Sequence, residues 1–333
     1  MAEAGRLKQV EDRQSYLSGQ TGLSVLQLTI AIVTWNSERW IDRCLRSIEA
    51  ACAGVPYEII VYDNASSDRT RQLVGDEATL LHGANNAGFA AGINRAVKAS
   101  RGRYVFFLNP DCELKPGALA DLVRYLDAHP EFAAAAPLLS DDDGESQREF
   151  QLRRLPTFAS LLAEVLGVSR VWPSNPVTAR YRYRDLDLSV PQAVEQPAAA
   201  AMLLRRDVFD EIGPLDERFA PAWFEDVDYC RRLAAAGKRV VVVPSARARH
   251  FGGASLEHVR FAEFIDHWYR NMHLYARKWL TPPQAGALRL AVIAGMLLRI
   301  PLALLGIAHR DAGRRAALRG YARVLGRALR GWS

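Results

Sequence analysis

The sequence predicts an α/β protein with a mainly parallel central sheet and a helical extension at its C-terminal end. Three observations predict it: β-branched apolar runs alternate with helical patterns from about Val25 to Ser140, polar residues sit at the ends of those runs, and basic charge gathers beyond Arg289. At 333 residues, 49% hydrophobic and 24% charged, the chain holds enough apolar surface for one sizeable domain plus an appendage, and disorder throughout is excluded.

The elements follow in order. "LTIAIVTW" is a continuous run suited to a strand covered on both faces, and "DRCLRSIEA" has helical spacing. "YEIIVYDN" is a second strand, and "NNAGFAAGINRAVKAS" an Asn/Gly-rich turn entering an Ala-rich helix. "RYVFFLNPD" is the next strand, Pro116 opens a helix, and "FAAAAPLL" is another strand. A parallel neighbour needs a crossover, so repeated βα units mean a mainly parallel sheet. From Ser140 to about Glu195 the periodicity dissolves into loops and short helices. Order returns with a strand and helix in "AAAAMLLRRDVFDEIG", a helix stopped by Gly237, and a strand "KRVVVVPSARARH" ending in His250.

Charge and cysteines narrow the function classes. The 43 basic and 37 acidic residues give +6, but the stretch from Arg289 onward, with nine Arg against Asp311 alone, carries +8 and leaves −2 for the rest. This argues against a nucleic-acid-binding core and for a tail that meets an anionic surface. Cys44, Cys52, Cys112 and Cys230 show neither CxxC nor metal-finger spacing, as expected of a reducing cytoplasm. Residues 1–24 mix both signs of charge without an apolar stretch, so a mobile N-terminal segment is expected there.

Parallel sheets bind ligands beyond the carboxyl ends of their strands. Asn36, Asp63 with Asn64, Asn109 with Asp111, and His250 end four different strands. Each is alone an ordinary turn or cap residue. Together they indicate a functional cleft.

The strings "TWN", "VYDNASSD", "NNAGFAAGINRAV", "FLNPD", "AMLLRRDVFDEIGPLDERF", "WFEDVDYCRRLAAAGKRV" and "ARARHFGGAS", in this order, resemble the family 2 inverting glycosyltransferases, most closely their bacterial rhamnosyltransferase branch. The resemblance spans 25–255 and implies the GT-A (nucleotide-diphospho-sugar transferase) fold, with 256–333 left as a helical extension. It implies donor-binding roles for Thr34, Asn36, Asp63, Asn64, Asn86, Gly88, Asn94, Asn109 and Asp111, with Asp63 meeting a uracil or thymine base. It also implies a Mg2+ or Mn2+ cofactor held by Asp111 and His250. A carboxylate on a turn stiffened by Pro110 suits a hard cation that neutralises a departing diphosphate. The family often shows two acids flanking one residue there, and Asn109 replaces the first.

The same resemblance makes Asp226 the general base, with Glu225 as second choice, and Trp223 and Phe224 an acceptor platform on which sugars stack. The acids of "FEDVD" equally suit the first turn of a helix. A nucleotidyltransferase would need a Gly-rich, basic loop after the first strand, which "TWNSERW" lacks. A noncatalytic scaffold would lack Asp111 or Asp226. The reading implied is transfer of L-rhamnose from dTDP-rhamnose, or of another sugar from a UDP- or GDP-sugar, to a polyprenyl-diphosphate-linked saccharide, with no nucleic-acid partner.

In the extension, "LRLAVIAGMLLRIPLALLGIAHR" is apolar but interrupted by Arg299 and Pro301, which favours a helix in the bilayer interface or a hairpin over a clean span. Beyond it, Arg315, Arg319, Arg323, Arg327 and Arg330 segregate from Leu318, Tyr321, Leu325, Leu329 and Trp332 on a helical projection. This pattern predicts a basic amphipathic helix docked on the cytoplasmic face of the membrane. Packing on the catalytic domain and a homo-oligomer contact are its alternatives.

Overall fold

The structure, a computed structural model, describes residues 26–252, 259–307 and 313–332; the segment expected to be mobile lies outside them. Its strands are β1 (Leu28–Thr34), β2 (Tyr57–Asp63), β3 (Thr79–His82), β4 (Tyr104–Leu108), β5 (Cys112–Leu114), β6 (Phe132–Ser140), β7 (Leu152–Arg153), β8 (Gln192–Val194), β9 (Gln196–Pro197), β10 (Ala201–Arg205) and β11 (Arg239–His250). The nine-stranded sheet runs β3-β2-β1-β4-β10-β6-β11-β5, with β8 added on β11. Six of these strands point one way, while β10, β5 and β8 oppose them. The reversal of β10 between β4 and β6 follows from its entry, which comes from the long 141–200 excursion instead of a crossover helix.

The principal helices are α1 (Ile41–Cys52), α2 (Phe89–Ala99), α3 (Ala118–Ala128), α4 (Phe158–Val165), α5 (Arg206–Ile212), α6 (Glu225–Ala235), α7 (Phe261–Trp279), α8 (Pro282–Leu304) and α9 (Arg314–Arg330). Alternation along the strands divides the core. Leu28, Ile30, Ile32, Tyr104 and Phe106 face α1 and α3, whereas Ala31, Val33, Val105 and Phe107 face α2, α5 and α6. Phe106 and Phe107 are fully buried, at roughly 1.5–3 kcal/mol each. The strand that carries Asn109 and Asp111 at its end is therefore stiff.

A third apolar cluster joins α4, α7, α8 and α9 to Phe219, Phe224 and Val227. Here the structure corrects the reading of the basic amphipathic helix. The inward face of α9, with Ala317, Tyr321, Val324 and Ala328, is buried against α7 and α8. At Gly320 the helices come so close that a Cβ would lie 3.1 Å from Ala262 Cα. Arg289 donates to the carbonyls of Ala328 (2.7 Å) and Leu329 (2.8 Å), satisfying the end of α9. The apolar stripe serves intramolecular packing, and only its edge at Leu329 is exposed.

α8 is likewise unbroken. It continues through Pro301, and Arg299 turns inward to donate to Val165 O at 2.8 Å. By length and composition α8 is one helix capable of crossing a membrane. Its outer face presents Leu290, Leu297, Leu298 and Leu304, all exposed, and continues into Leu305 and Ile307.

Candidate active site

The carboxyl ends of β1, β2 and β4 and the end of β11 converge on one cavity of about 1190 Å³. Thr34, Asn64, Asn86, Gly88, Asn109 and Asp111 line it on the sheet side. Trp223, Phe224, Glu225, Asp226 and His250 complete it. Residues far apart in sequence are thus brought together as the strand-end argument requires.

Three expected donor residues do not line the cavity. Asp63 is fully buried, accepting from Thr34 Oγ1 of β1 (3.1 Å) and, within its own turn, from the Ser66 amide (3.0 Å) and hydroxyl (2.5 Å). Asn36 Oδ1 accepts from Ser67 N at 2.8 Å and joins the first two strand-end turns. Asn94 clasps Leu215, accepting from its N–H and donating to its carbonyl, each at 2.9 Å, on the outer side of α2. These three hold the scaffold of the cleft.

The Asn/Gly turn is a precise clasp. Asn64 Oδ1 accepts from Ala87 N (3.1 Å) and its Nδ2 donates to Gly88 O (3.2 Å). Gly88 has φ +92°, and a Cβ there would stand 2.6 Å from Pro221 O, so this site demands glycine. The same carbonyl accepts from Phe89 N at 2.7 Å, which fastens the turn to the loop before α6. That loop carries Trp223 and Phe224 in left-handed conformations, φ 74° and 73°. The Asn271 amide holds it from behind, donating to the carbonyls of Phe219 (2.6 Å), Ala222 (2.8 Å) and Trp223 (3.1 Å).

Glu225 and Asp226 open α6 in unlike environments. Asp226 accepts from Val227 N (2.8 Å), Ala199 N (3.3 Å) and Gln196 Nε2 (3.3 Å). Burial raises its pKa, and these amides together with Arg153 oppose the rise. Glu225 is pushed well above the carboxylate range, first by burial and then by the charge of Asp226, and its Oε2 has no hydrogen-bond partner among the described residues. Both carboxyls are thus shifted upward, and Glu225 has in addition the charge of Asp226 beside it. Asp228 takes no part in the cavity. Fully buried, it accepts from Trp279 Nε1 (2.7 Å), Lys278 Nζ (2.9 Å) and Arg232 Nε (3.2 Å), latching α6 to α7.

Opposite this pair, antiparallel pairing sets His250 beside Cys112 and brings its Nε2 to 3.6 Å from Asp111 Oδ1. Ligand atoms of Asp111, Cys112 and His250 lie within 4.8 Å of one another. The Cys112 thiol donates to Ala200 O at 3.4 Å, and burial raises its pKa well above the ordinary thiol value. Burial also lowers the His250 pKa, keeping the imidazole neutral. A carboxylate and a neutral imidazole fit Mn2+ well and Mg2+ less closely.

Residues 29–213 match the family model described as Glycosyl transferase family 2. The chain belongs to glycosyltransferase family 2. As a member, it is a glycosyltransferase, and its fold is GT-A. The N-acetylglucosaminyl-diphospho-decaprenol L-rhamnosyltransferase of Mycobacterium tuberculosis is 30% identical over 67% of this chain and 75% of its own. The rhamnosyltransferase WbbL of Escherichia coli is 26% identical over 67% and 82%. Among solved structures, GalNAc-T7 with UDP, GalNAc and Mn2+ superposes with a TM-score of 0.53 at 14% identity, over 93% of this chain and 57% of that one.

Parts of this glycosyltransferase's cavity wall, both within the family match and beyond its end, have little signal in the sequence. Gln147, Phe150, Arg153 and Gln196 line it from the aperiodic 141–197 segment, while Trp268 and Arg327 reach it from α7 and α9. The signal at hand was a pair of adjacent arginines, Arg153 and Arg154, in an otherwise polar stretch.

Proposed function

We propose that this glycosyltransferase inverts the anomeric centre as it moves L-rhamnose from dTDP-rhamnose to a polyprenyl-diphosphate-linked saccharide at the cytoplasmic membrane face. The observation that carries the chemistry is that Asp111, His250 and Asp226 line a single cavity. The rhamnosyl group and the lipid-linked acceptor are supported by the names of the two relatives.

Asp111 and His250 are the residues that would hold Mg2+ or Mn2+. Such an ion, when bound, stabilises charge on the departing diphosphate. Asp226, ionised and oriented by three N–H donors, takes the proton of the acceptor hydroxyl as its oxygen attacks C1 from the face opposite the leaving group. Glu225, whose pKa burial and the charge of Asp226 push upward, stands beside it at the start of the same helix. Trp223 and Phe224 offer the apolar surface against which the acceptor sugar rests.

For the membrane, the exposed leucines of α8 replace the apolar face of α9 as the docking surface, with Arg315, Arg319 and Arg323, exposed on α9, meeting anionic headgroups. The test incubates the full chain with dTDP-, UDP- and GDP-sugars, a divalent metal and a short polyprenyl-diphosphate GlcNAc. Transfer from dTDP-rhamnose, lost in Asp226→Asn with donor affinity retained, is expected. Full turnover by that variant refutes the base, and transfer only from another donor refutes the sugar.

A further inference from the structure

The imidazole assigned above to the cation is itself gripped by a side chain that neither the family match nor the relatives assign. Gln147 Oε1 lies 2.9 Å from His250 Nδ1, and Gln147 Nε2 donates to the backbone carbonyl of the same histidine at 2.7 Å. A carbonyl oxygen only accepts, so the amide must present its nitrogen to it and its oxygen to the ring. The ring nitrogen that meets this oxygen must then carry the proton. His250 is thereby fixed as the Nδ1–H tautomer, and its bare Nε2 lone pair is directed towards Asp111, 3.6 Å away.

The surroundings make the grip rigid. Phe150 stacks on the imidazole, centroids 4.9 Å apart and planes 18° from parallel. Gln147 N donates to Leu139 O at 3.0 Å, and Gln151, four residues on, accepts from Leu139 N (2.9 Å) through its side chain and from Ala198 N (2.7 Å) through its carbonyl. The turn from Gln147 to Gln151 is thus bolted to β6 and to the segment that also supplies the Ala199 N–H to Asp226. A metal-bound histidine commonly donates its second N–H to such an acceptor, and losing that acceptor typically costs ten- to a hundredfold in metal affinity.

We propose that Gln147 is the positioning residue for the cation site: it selects the His250 tautomer whose Nε2 ligates, with Phe150 holding the ring plane. The proposal rests on the reading of Asp111 and His250 as metal ligands. Its test has two arms on the full chain. In the first, 15N-histidine NMR of the metal-free protein, at a pH where the imidazole is neutral, is expected to show Nδ1 protonated in the wild type. The Nε2–H tautomer overturns the proposal.

In the second arm, Mn2+ binding in the presence of dTDP is followed by electron paramagnetic resonance, with nitrogen coupling from the imidazole as the signature. Gln147→Leu is expected to weaken Mn2+ binding about ten- to a hundredfold while metal-free dTDP affinity holds. Gln147→Glu, which keeps an acceptor for Nδ1–H but loses the donor to the His250 carbonyl, is expected to recover part of the loss. Wild-type Mn2+ affinity in Gln147→Leu together with a loss in His250→Ala overturns the positioning role alone. Unchanged affinity and nitrogen coupling in His250→Ala overturn the ligand reading, and the proposal with it.

Discussion

Replacing Asp228 by alanine tests whether the helical layer holds the reactive helix in place. The carboxylate is fully buried and shared by Arg232, Lys278 and Trp279, so its removal orphans the indole N–H and takes the shared anion from two cations, of which Arg232 keeps the carbonyls of Ile212 (2.9 Å) and Pro214 (2.7 Å). Breaking a buried ion pair from one side costs about 3–5 kcal/mol, and an orphaned neutral donor roughly 1–3 kcal/mol. Lys278 retains Asp216 at 3.0 Å and is a quarter exposed, which places the loss near the lower figures, about 3–4 kcal/mol. At roughly 2–4 °C per kcal/mol, Tm falls by about 6–16 °C. Calorimetry measures the shift and initial rates the turnover, which is expected to fall with it because α6 carries Glu225 and Asp226 in its first turn. A Tm within about 2 °C of wild type would refute the latch.

Three more outcomes follow from the same geometry. Gly88→Ala places a Cβ 2.6 Å from Pro221 O at φ +92°; a loss of at least about 1–3 kcal/mol and a marked fall in turnover are expected, checked by thermal melts and rate assays. Glu225→Gln alters the pH dependence of stability: the folded-state pKa of Glu225 is raised, so its contribution is complete below the unfolded value and is lost as pH rises through the folded one. Tm of the variant relative to wild type should therefore climb as pH rises above about 4, and a flat difference argues that Glu225 is ionised in the fold. Asp111→Ala should abolish the strengthening of dTDP binding by Mn2+ while leaving metal-free binding intact, as titration calorimetry would report.

The strands that frame the cleft were readable because burial on both faces leaves continuous β-branched and aromatic runs, as in the whole of β1 and β4 and the inner part of β2. Strand-end polar residues were readable for a related reason: a core strand cannot hold Asn109 or Asp111 until it emerges. Direction was not readable for β10, since "AMLLR" pairs equally well either way and only its long approach decides. The α9 stripe has the same amphipathic periodicity whether it faces lipid or α7 and α8, so sequence could not choose between them. Pro301 failed as a breaker because α8 is supported from inside by α4, α7 and α9, a context that a local rule does not contain. Asp63 and Asn36 illustrate the opposite limit, since a polar side chain at a strand end serves a neighbouring turn as readily as a ligand, and Asn94, on α2, serves Leu215 in the same way. Gln147 carried no pattern at all, because its meaning depends on a histidine 103 residues away.

The bond from Phe89 N–H to Pro221 O has a mechanical consequence. It fastens the Asn/Gly turn to the loop that leads through Trp223 and Phe224 into Asp226, so a displacement of either one loads the other. Together with the clasp of Asn94 on Leu215, it makes the two walls of the cleft one mechanical unit.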